Sequence, residues 1–167
     1  YPPGMNAKTD ELVELAKVVR PYGGFYASHI RDEASRLVES IAEAIAIGEQ
    51  AGVGVQLSHH KAVGYFNWGK VKKTLAMVDA ARGRGVDVDS DVYPYTAGST
   101  ILAAIVVAPW AFEGDSPDLA VARLRDPEAR RRLASDFQSR LMGLTGLPPL
   151  VARAALPILL SLFARSL

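Results

Sequence analysis

Apolar residues at Leu12, Leu15, Ala16 and Val19 recur at helical spacing, which predicts an amphipathic helix capped by Thr9 and running to about Val19. Gly23 and Gly24 break it, and Phe25 to His29 reads as a short buried strand. A second helix is expected from about Asp32 to Glu49, with Leu37, Ile41, Ala44, Ile45 and Gly48 on one face and Gly52 as its stop. Val53 to His59 is a second strand, dense in apolar residues as expected where both faces of a parallel strand are covered. Asn67 can cap a third helix with Val71, Leu75 and Val78 as its buried stripe, ended by Gly83 and Gly85, and Val86 to Tyr93 is a third strand.

Equivalent strand ends recur at a fixed interval. His29 to His59 is 30 positions and His59 to Asp91 is 32, the length of one strand–helix–strand unit. The pattern is therefore α/β with parallel strands, either an open doubly wound sheet or a closed (β/α)8 barrel. Strand parity groups Phe25, Ala27 and His29, then Val55, Leu57 and His59, then Asp87, Asp89, Asp91 and Tyr93. Three strands that each end in a polar, ligand-capable residue resemble a barrel mouth, where active sites are built.

Beyond Tyr95 the pattern changes. Ile101 to Ala108 reads as a buried strand or a helix turn ended by Pro109 and Trp110. Ser116 to Gln138 reads as a charged helical segment, with Pro117 near its start, Pro127 interrupting it, and Arg130, Arg131 and Arg132 as a solvated basic face. From Leu141 to Leu167 the only charged side chains are Arg153 and Arg165, so a helix there would lack a polar face. The expected organisation is an α/β part over 1–114, a charged helical segment over 115–140 and an atypical apolar tail over 141–167, out of frame or detached from its cover.

Composition narrows the function classes. The chain has 167 residues, 49% of them hydrophobic and 22% charged, which places it with globular domains. With 19 basic and 18 acidic residues the net charge is +1, so no general field would gather phosphate backbones and nucleic acid is not an expected partner. There is no cysteine, which excludes disulfides, restricts any metal site to nitrogen and oxygen ligands, and fits a cytoplasmic location. The apolar run Ala154 to Ala164 is about half the roughly 20 residues a membrane span requires, and no leader is expected at Tyr1 to Gly4. A chain that opens without methionine is expected to be an excerpt of a longer product or the product of an incomplete gene.

The candidate chemistry gathers at the strand ends. All three histidines, His29, His59 and His60, lie at or just after them, and neutral imidazole on a rigid strand end is a common zinc ligand. Parity selects His59 over His60, which is left for packing or support. Neighbouring strands lie roughly 5 Å apart, so His29 and His59 can reach one ion. A catalytic zinc usually takes three protein ligands, and only Asp89 or Asp91 offers a third here. Lys61 could meet a substrate carboxylate or stand in an exposed loop, and Arg31 could steady the loop or a carboxylate. Tyr93 and Ser99 offer hydroxyls, and equally suit a rim tyrosine and a turn serine.

Five ordered strings carry a resemblance. Tyr1-Pro-Pro-Gly4, Tyr26-Ala-Ser-His-Ile-Arg-Asp-Glu33, Gln56-Leu-Ser-His-His-Lys61, Asn67-Trp-Gly-Lys70 and Asp91-Val-Tyr-Pro-Tyr-Thr-Ala-Gly-Ser-Thr100 together resemble the N-acyl-D-amino-acid deacylase (D-aminoacylase) family of the amidohydrolase superfamily, from about Tyr1 to Gly114. The resemblance implies a zinc-dependent (β/α)8 hydrolase of TIM-barrel type that splits N-acyl-D-amino acids into a carboxylate and a free D-amino acid. This chain would supply about strands 5–7 with their helices. The histidines matching His29 and His59 would end the fifth and sixth strands and bind zinc, while Lys61, Tyr93 and Ser99 would hold the substrate.

The family's early His-x-His pair, its site-completing cysteine and its late-strand aspartate base have no counterpart here. The catalytic base is therefore expected outside this chain, and the chain alone is expected to be poorly stable and inactive. Other readings are a hydantoinase-like or dihydroorotase-like ring opener, and a non-catalytic remnant that binds through the Arg130 cluster and the apolar tail.

Overall fold

The computed structural model describes residues 4–101, 107–114 and 117–145. The described residues fall into two compact units, one through Gly98 and one from Ser99. The expectation for Ile101 to Ala108 falls mostly outside the described residues, as does that for the tail beyond Thr145.

In the first unit three helices and three strands alternate: α1 (Thr9–Val19), β1 (Phe25–Ser28), α2 (Leu37–Ala51), β2 (Gly54–Leu57), α3 (Lys70–Gly83) and β3 (Val88–Ser90). The strands form one parallel sheet in the order β1-β2-β3, with Phe25 opposite Gly54 and Val55 opposite Val88. Leu37, Ile41, Ala44 and Ile45 of α2 and Val78 and Ala81 of α3 pack on Val55, Leu57 and Val88. Each fully buried aliphatic side chain in this core contributes about 1.5–3 kcal/mol. A second cluster joins Val13 and Ala16 of α1 to Ile47, Ala51 and Val53.

The helices cover one face of the sheet. On the other, Phe25 is 62% exposed, and Ala27, Asp87 and Asp89 are exposed as well. The expectation that both strand faces are covered is therefore not met among the described residues. Val88 O, on the outer edge of β3, accepts from Arg82 Nε at 2.7 Å, and Arg82 Nη2 reaches Asp89 Oδ1 at 2.7 Å. A cation laid along a strand edge blunts further pairing there.

Several local expectations need correction. Thr9 is the first residue of α1 and caps nothing; its hydroxyl donates to Glu43 Oε1 at 2.6 Å, a partner 34 positions away. The second helix begins at Leu37, not Asp32, because the Asp32 carboxylate accepts from the amides of Ala34 (2.6 Å) and Arg36 (3.3 Å) and holds that stretch as a turn. Asn67 does not cap α3. It lies in a 3-10 turn, buried, donating to Val63 O at 2.8 Å and accepting from Lys70 Nζ at 2.8 Å. On α3 the buried stripe is Thr74, Val78 and Ala81, while Leu75 is 46% exposed. Thr74 takes the inward position because a polar partner, His60, waits beneath it.

Gly52 stops α2 as expected, with φ +67 and its amide on Gly48 O. Gly48 lets α2 approach the sheet closely, since a Cβ there would lie 2.1 Å from Val55 Cγ2.

In the second unit, helices α4 (Pro117–Arg125) and α5 (Pro127–Thr145) are separated where Pro127 predicts an interruption. Asp126 caps α5, its Oδ2 accepting from the Ala129 amide at 2.6 Å, with Pro127 as the first helical residue. The basic cluster is partly engaged: the Arg132 guanidinium lies 4.1 Å over the Trp110 ring, whose Nε1 donates to Asp136 at 2.6 Å. Arg130 Nη1 donates to Leu124 O at 3.2 Å. Arg132 and Arg130 are thus packing groups as much as a solvated face.

Candidate metal centre

The candidate site lies just past the carboxyl ends of β1 and β2. His29 follows β1 on the side of Phe25 and Ala27, the uncovered face, as strand parity requires. His59 arrives there by a different route. Val55 and Leu57 point into the helix-covered core, so an unbroken strand would have carried His59 after them. The strand ends at Leu57, and His59 takes φ +42, a left-handed conformation uncommon for a side chain with a Cβ. The structure brings His59, and not His60, beside His29, but by this turn and not by the strand parity on which the preference for His59 rests.

His60 turns the other way. It is buried, and its Nε2 lies 2.8 Å from Thr74 Oγ1. The Thr74 hydroxyl donates to Val71 O at 3.1 Å, so it accepts from His60 Nε2–H. Burial first, and then the Lys61 charge, holds His60 below the ordinary imidazole value.

His29 Nδ1 and His59 Nε2 face each other directly, their ring centroids 4.5 Å apart. Partial burial, followed by the neighbouring His59, lowers the pKa of His29, which favours the neutral ring that a metal ion needs. On its far side His59 Nδ1 lies 2.6 Å from Glu33 Oε1, and Glu33 Oε2 lies 2.6 Å from Lys61 Nζ. Lys61 Nζ also donates to His59 O at 3.1 Å and lies 2.9 Å from His59 Nδ1. A carboxylate oxygen can only accept, so the Glu33 contact is a hydrogen bond when His59 Nδ1 carries the proton.

Neither aspartate is oriented as a third ligand. Asp91 accepts from the His59 amide through Oδ1 at 2.6 Å and from Gln56 Nε2 through Oδ2 at 2.9 Å. The His59 amide bond first, aided by Gln56 and the two imidazoles, lowers the pKa of Asp91. Asp89 is paired with Arg82. Among the described residues no group of three or more His, Cys, Asp or Glu is placed to hold a metal ion. The donor set fits two positions of a zinc site, both imidazole, and leaves the others to residues outside it.

Of the substrate-binding candidates, Tyr93 joins this cluster: its ring lies 6.4 Å from that of His59, and Lys61 Nζ lies 5.3 Å from its centroid. Ser99 is exposed and belongs to the second unit. Arg31 does steady a loop and a carboxylate, reaching Glu43 Oε2 at 2.7 Å and the carbonyls of Met5 and Ala7 at 2.6 Å each.

The sequence marks no role for Glu33, although it stands in the same loop as His29 and Arg31, nor for Gln56. An acid four positions after a candidate ligand is a weak signal, because its partner is chosen by a loop 26 to 28 residues away.

No helix among the described residues is long and apolar enough to cross a membrane. No family model matches the chain. Over 102 residues it is 43% identical to the D-aminoacylase of Alcaligenes xylosoxydans xylosoxydans, covering 61% of this chain and 21% of that protein. Among solved structures, the N-acyl-D-glutamate deacylase of Bordetella bronchiseptica, complexed with zinc and a phosphonate mimic of the tetrahedral intermediate, superposes with a TM-score of 0.56 at 42% identity, covering 57% of this chain and 20% of that one. A D-aminoacylase that defines a novel subset of amidohydrolases superposes with a TM-score of 0.55 at 43% identity, covering 59% and 20%. Across about three fifths of its length the chain is related to these deacylases, and it spans about a fifth of theirs.

Proposed function

We propose that this chain carries part of the catalytic mouth of a zinc-dependent N-acyl-D-amino-acid deacylase, as about strands 5–7 of a (β/α)8 amidohydrolase barrel. The observation that carries the reading is the meeting of His29 Nδ1 and His59 Nε2 at the ends of adjacent parallel strands. The relation to deacylases, one of them solved with zinc, supports the metal and the substrate class.

In this reading His29 and His59 would hold zinc, with further ligands and the general base supplied from outside the described cluster. When bound, zinc would polarise the amide carbonyl and acidify a water. The chain's own residues do the positioning. Lys61 presents an ammonium to the substrate carboxylate, and Tyr93 packs beside it at the rim. Ser99 is proposed as a further hydroxyl for the polar end of the substrate.

Equilibrium dialysis against zinc tests the metal half of the proposal. The unaltered chain should take up more zinc than His29→Ala or His59→Ala, and equal uptake by all three would remove the metal reading. For the reaction, the chain alone should release no D-amino acid from an N-acyl-D-amino acid, because two histidines do not complete a catalytic zinc site. Zinc-dependent release by this polypeptide would show that it holds its own base and remaining ligands.

A further inference from the structure

Among the described residues Glu33 is the carboxylate that touches both the His59 ring and Lys61. One oxygen lies 2.6 Å from His59 Nδ1 and the other 2.6 Å from Lys61 Nζ. Its backbone is pinned as well, because Glu33 O accepts from the Val63 amide at 2.7 Å, tying the loop after β1 to the loop after β2. Lys70 Nζ holds the next residues of that loop by the carbonyls of Ala34 (3.3 Å) and Ser35 (2.6 Å). The side chain is 22% exposed, so water competes only partly for its oxygens. This is a clamped carboxylate, and its position does not depend on the ion pair alone.

We propose that Glu33 is a positioning residue for this site. It accepts the Nδ1 proton of His59 and thereby selects the tautomer whose Nε2 lone pair faces His29. An imidazole carries one proton when neutral, so fixing it at Nδ1 leaves Nε2 as the acceptor or ligand atom. The same contact has a consequence for Lys61. With Nδ1 donating to Glu33, the ammonium cannot also donate there, and among the described residues two of its three N–H groups are used, on Glu33 Oε2 and His59 O. The third is left for a carboxylate beside Tyr93. Glu33 thus orients the ligand histidine and the substrate-binding lysine together, and this role rests on the reading of His59 as a ligand.

The test uses the whole 167-residue chain, labelled with 15N-histidine and free of metal, in unaltered, Glu33→Gln and Glu33→Ala forms. Imidazole 15N shifts should show His59 protonated at Nδ1 in the unaltered chain. In Glu33→Ala they should show a mixture or reversal of tautomers, with the signals of buried His60 unchanged as the control for folding. Zinc titration against a competing chelator should show affinity falling about ten- to a hundredfold in Glu33→Ala. An unchanged His59 tautomer in both variants would overturn the positioning role, even if zinc binds. Failure of the unaltered chain to bind zinc would instead strike the ligand reading, while the metal-free tautomer measurement would still decide for or against Glu33.

Discussion

The amide of His59 donates to Asp91 Oδ1 at 2.6 Å, and the φ of +42 at His59 is the conformation that this bond holds. The left-handed turn lifts the imidazole off the helix-covered side, where Leu57 lies, and brings it to His29. A non-glycine residue in that region costs roughly 1–2 kcal/mol, a cost the charge-assisted bond to Asp91 offsets. The site therefore depends on a carboxylate that is oriented toward backbone and not toward a metal.

Asp91→Ala removes the acceptor for both the His59 amide and Gln56 Nε2. Because Asp91 is exposed, the expected loss is modest, about 1 kcal/mol in a urea titration, but zinc uptake should fall further than stability does. Asp91→Asn keeps an acceptor oxygen and should retain most of both.

Gly48→Ala sets two effects against each other. Alanine favours the helix by about 1 kcal/mol, whereas its Cβ would sit 2.1 Å from Val55 Cγ2 and 3.0 Å from Val53 O. Backbone on one side and a buried strand on the other cannot both yield, so the overpacking cost of about 1–3 kcal/mol should win. A lower denaturation midpoint with an unchanged slope is the expected result.

Thr74→Val preserves shape and deletes the oxygen that accepts from His60 Nε2. A buried donor left without a partner should cost about 1–3 kcal/mol. Thr74→Ser should recover most of that loss. Equal stability of the valine and serine variants would show that the hydrogen bond contributes nothing.

Glu43 links α2 to Thr9 and Arg31. Burial pushes its carboxyl up, but the hydrogen bonds from Arg31 and Thr9 together outweigh that and hold the pKa below its ordinary 4.5. The unfolded chain therefore takes up this proton first as pH falls. The contribution is fully present above about 4.5 and is lost as pH drops through the lowered folded value. Denaturation midpoints measured from pH 6 downward, an interval on the order of three units, should show a shallower acid decline in Glu43→Gln than in the unaltered chain.

What the sequence by itself determined is what local spacing encodes. Apolar periodicity located α2 and the parallel strands, because helix and strand periods differ; it found the extent of α1 but not its buried face, which is Val13 and Ala16 with Leu15 60% exposed. Gly52 and Pro127 marked their breaks through backbone geometry. His29 could be placed on the side of Phe25 and Ala27 because it directly follows β1, whereas the structure alone shows that this side is uncovered. Only the tertiary structure decided what depends on partners far along the chain. Thr9 left its capping role for Glu43, and Thr74 displaced Leu75 from the core because His60 lies beneath it. His59 reached the site by a turn that strand alternation cannot foresee, held at its amide by Asp91, 32 positions on, and at its ring by Glu33 from the preceding loop. Side-chain periodicity fails where a strand ends, and there the hydrogen-bond partners that other strands deliver set the direction of the chain.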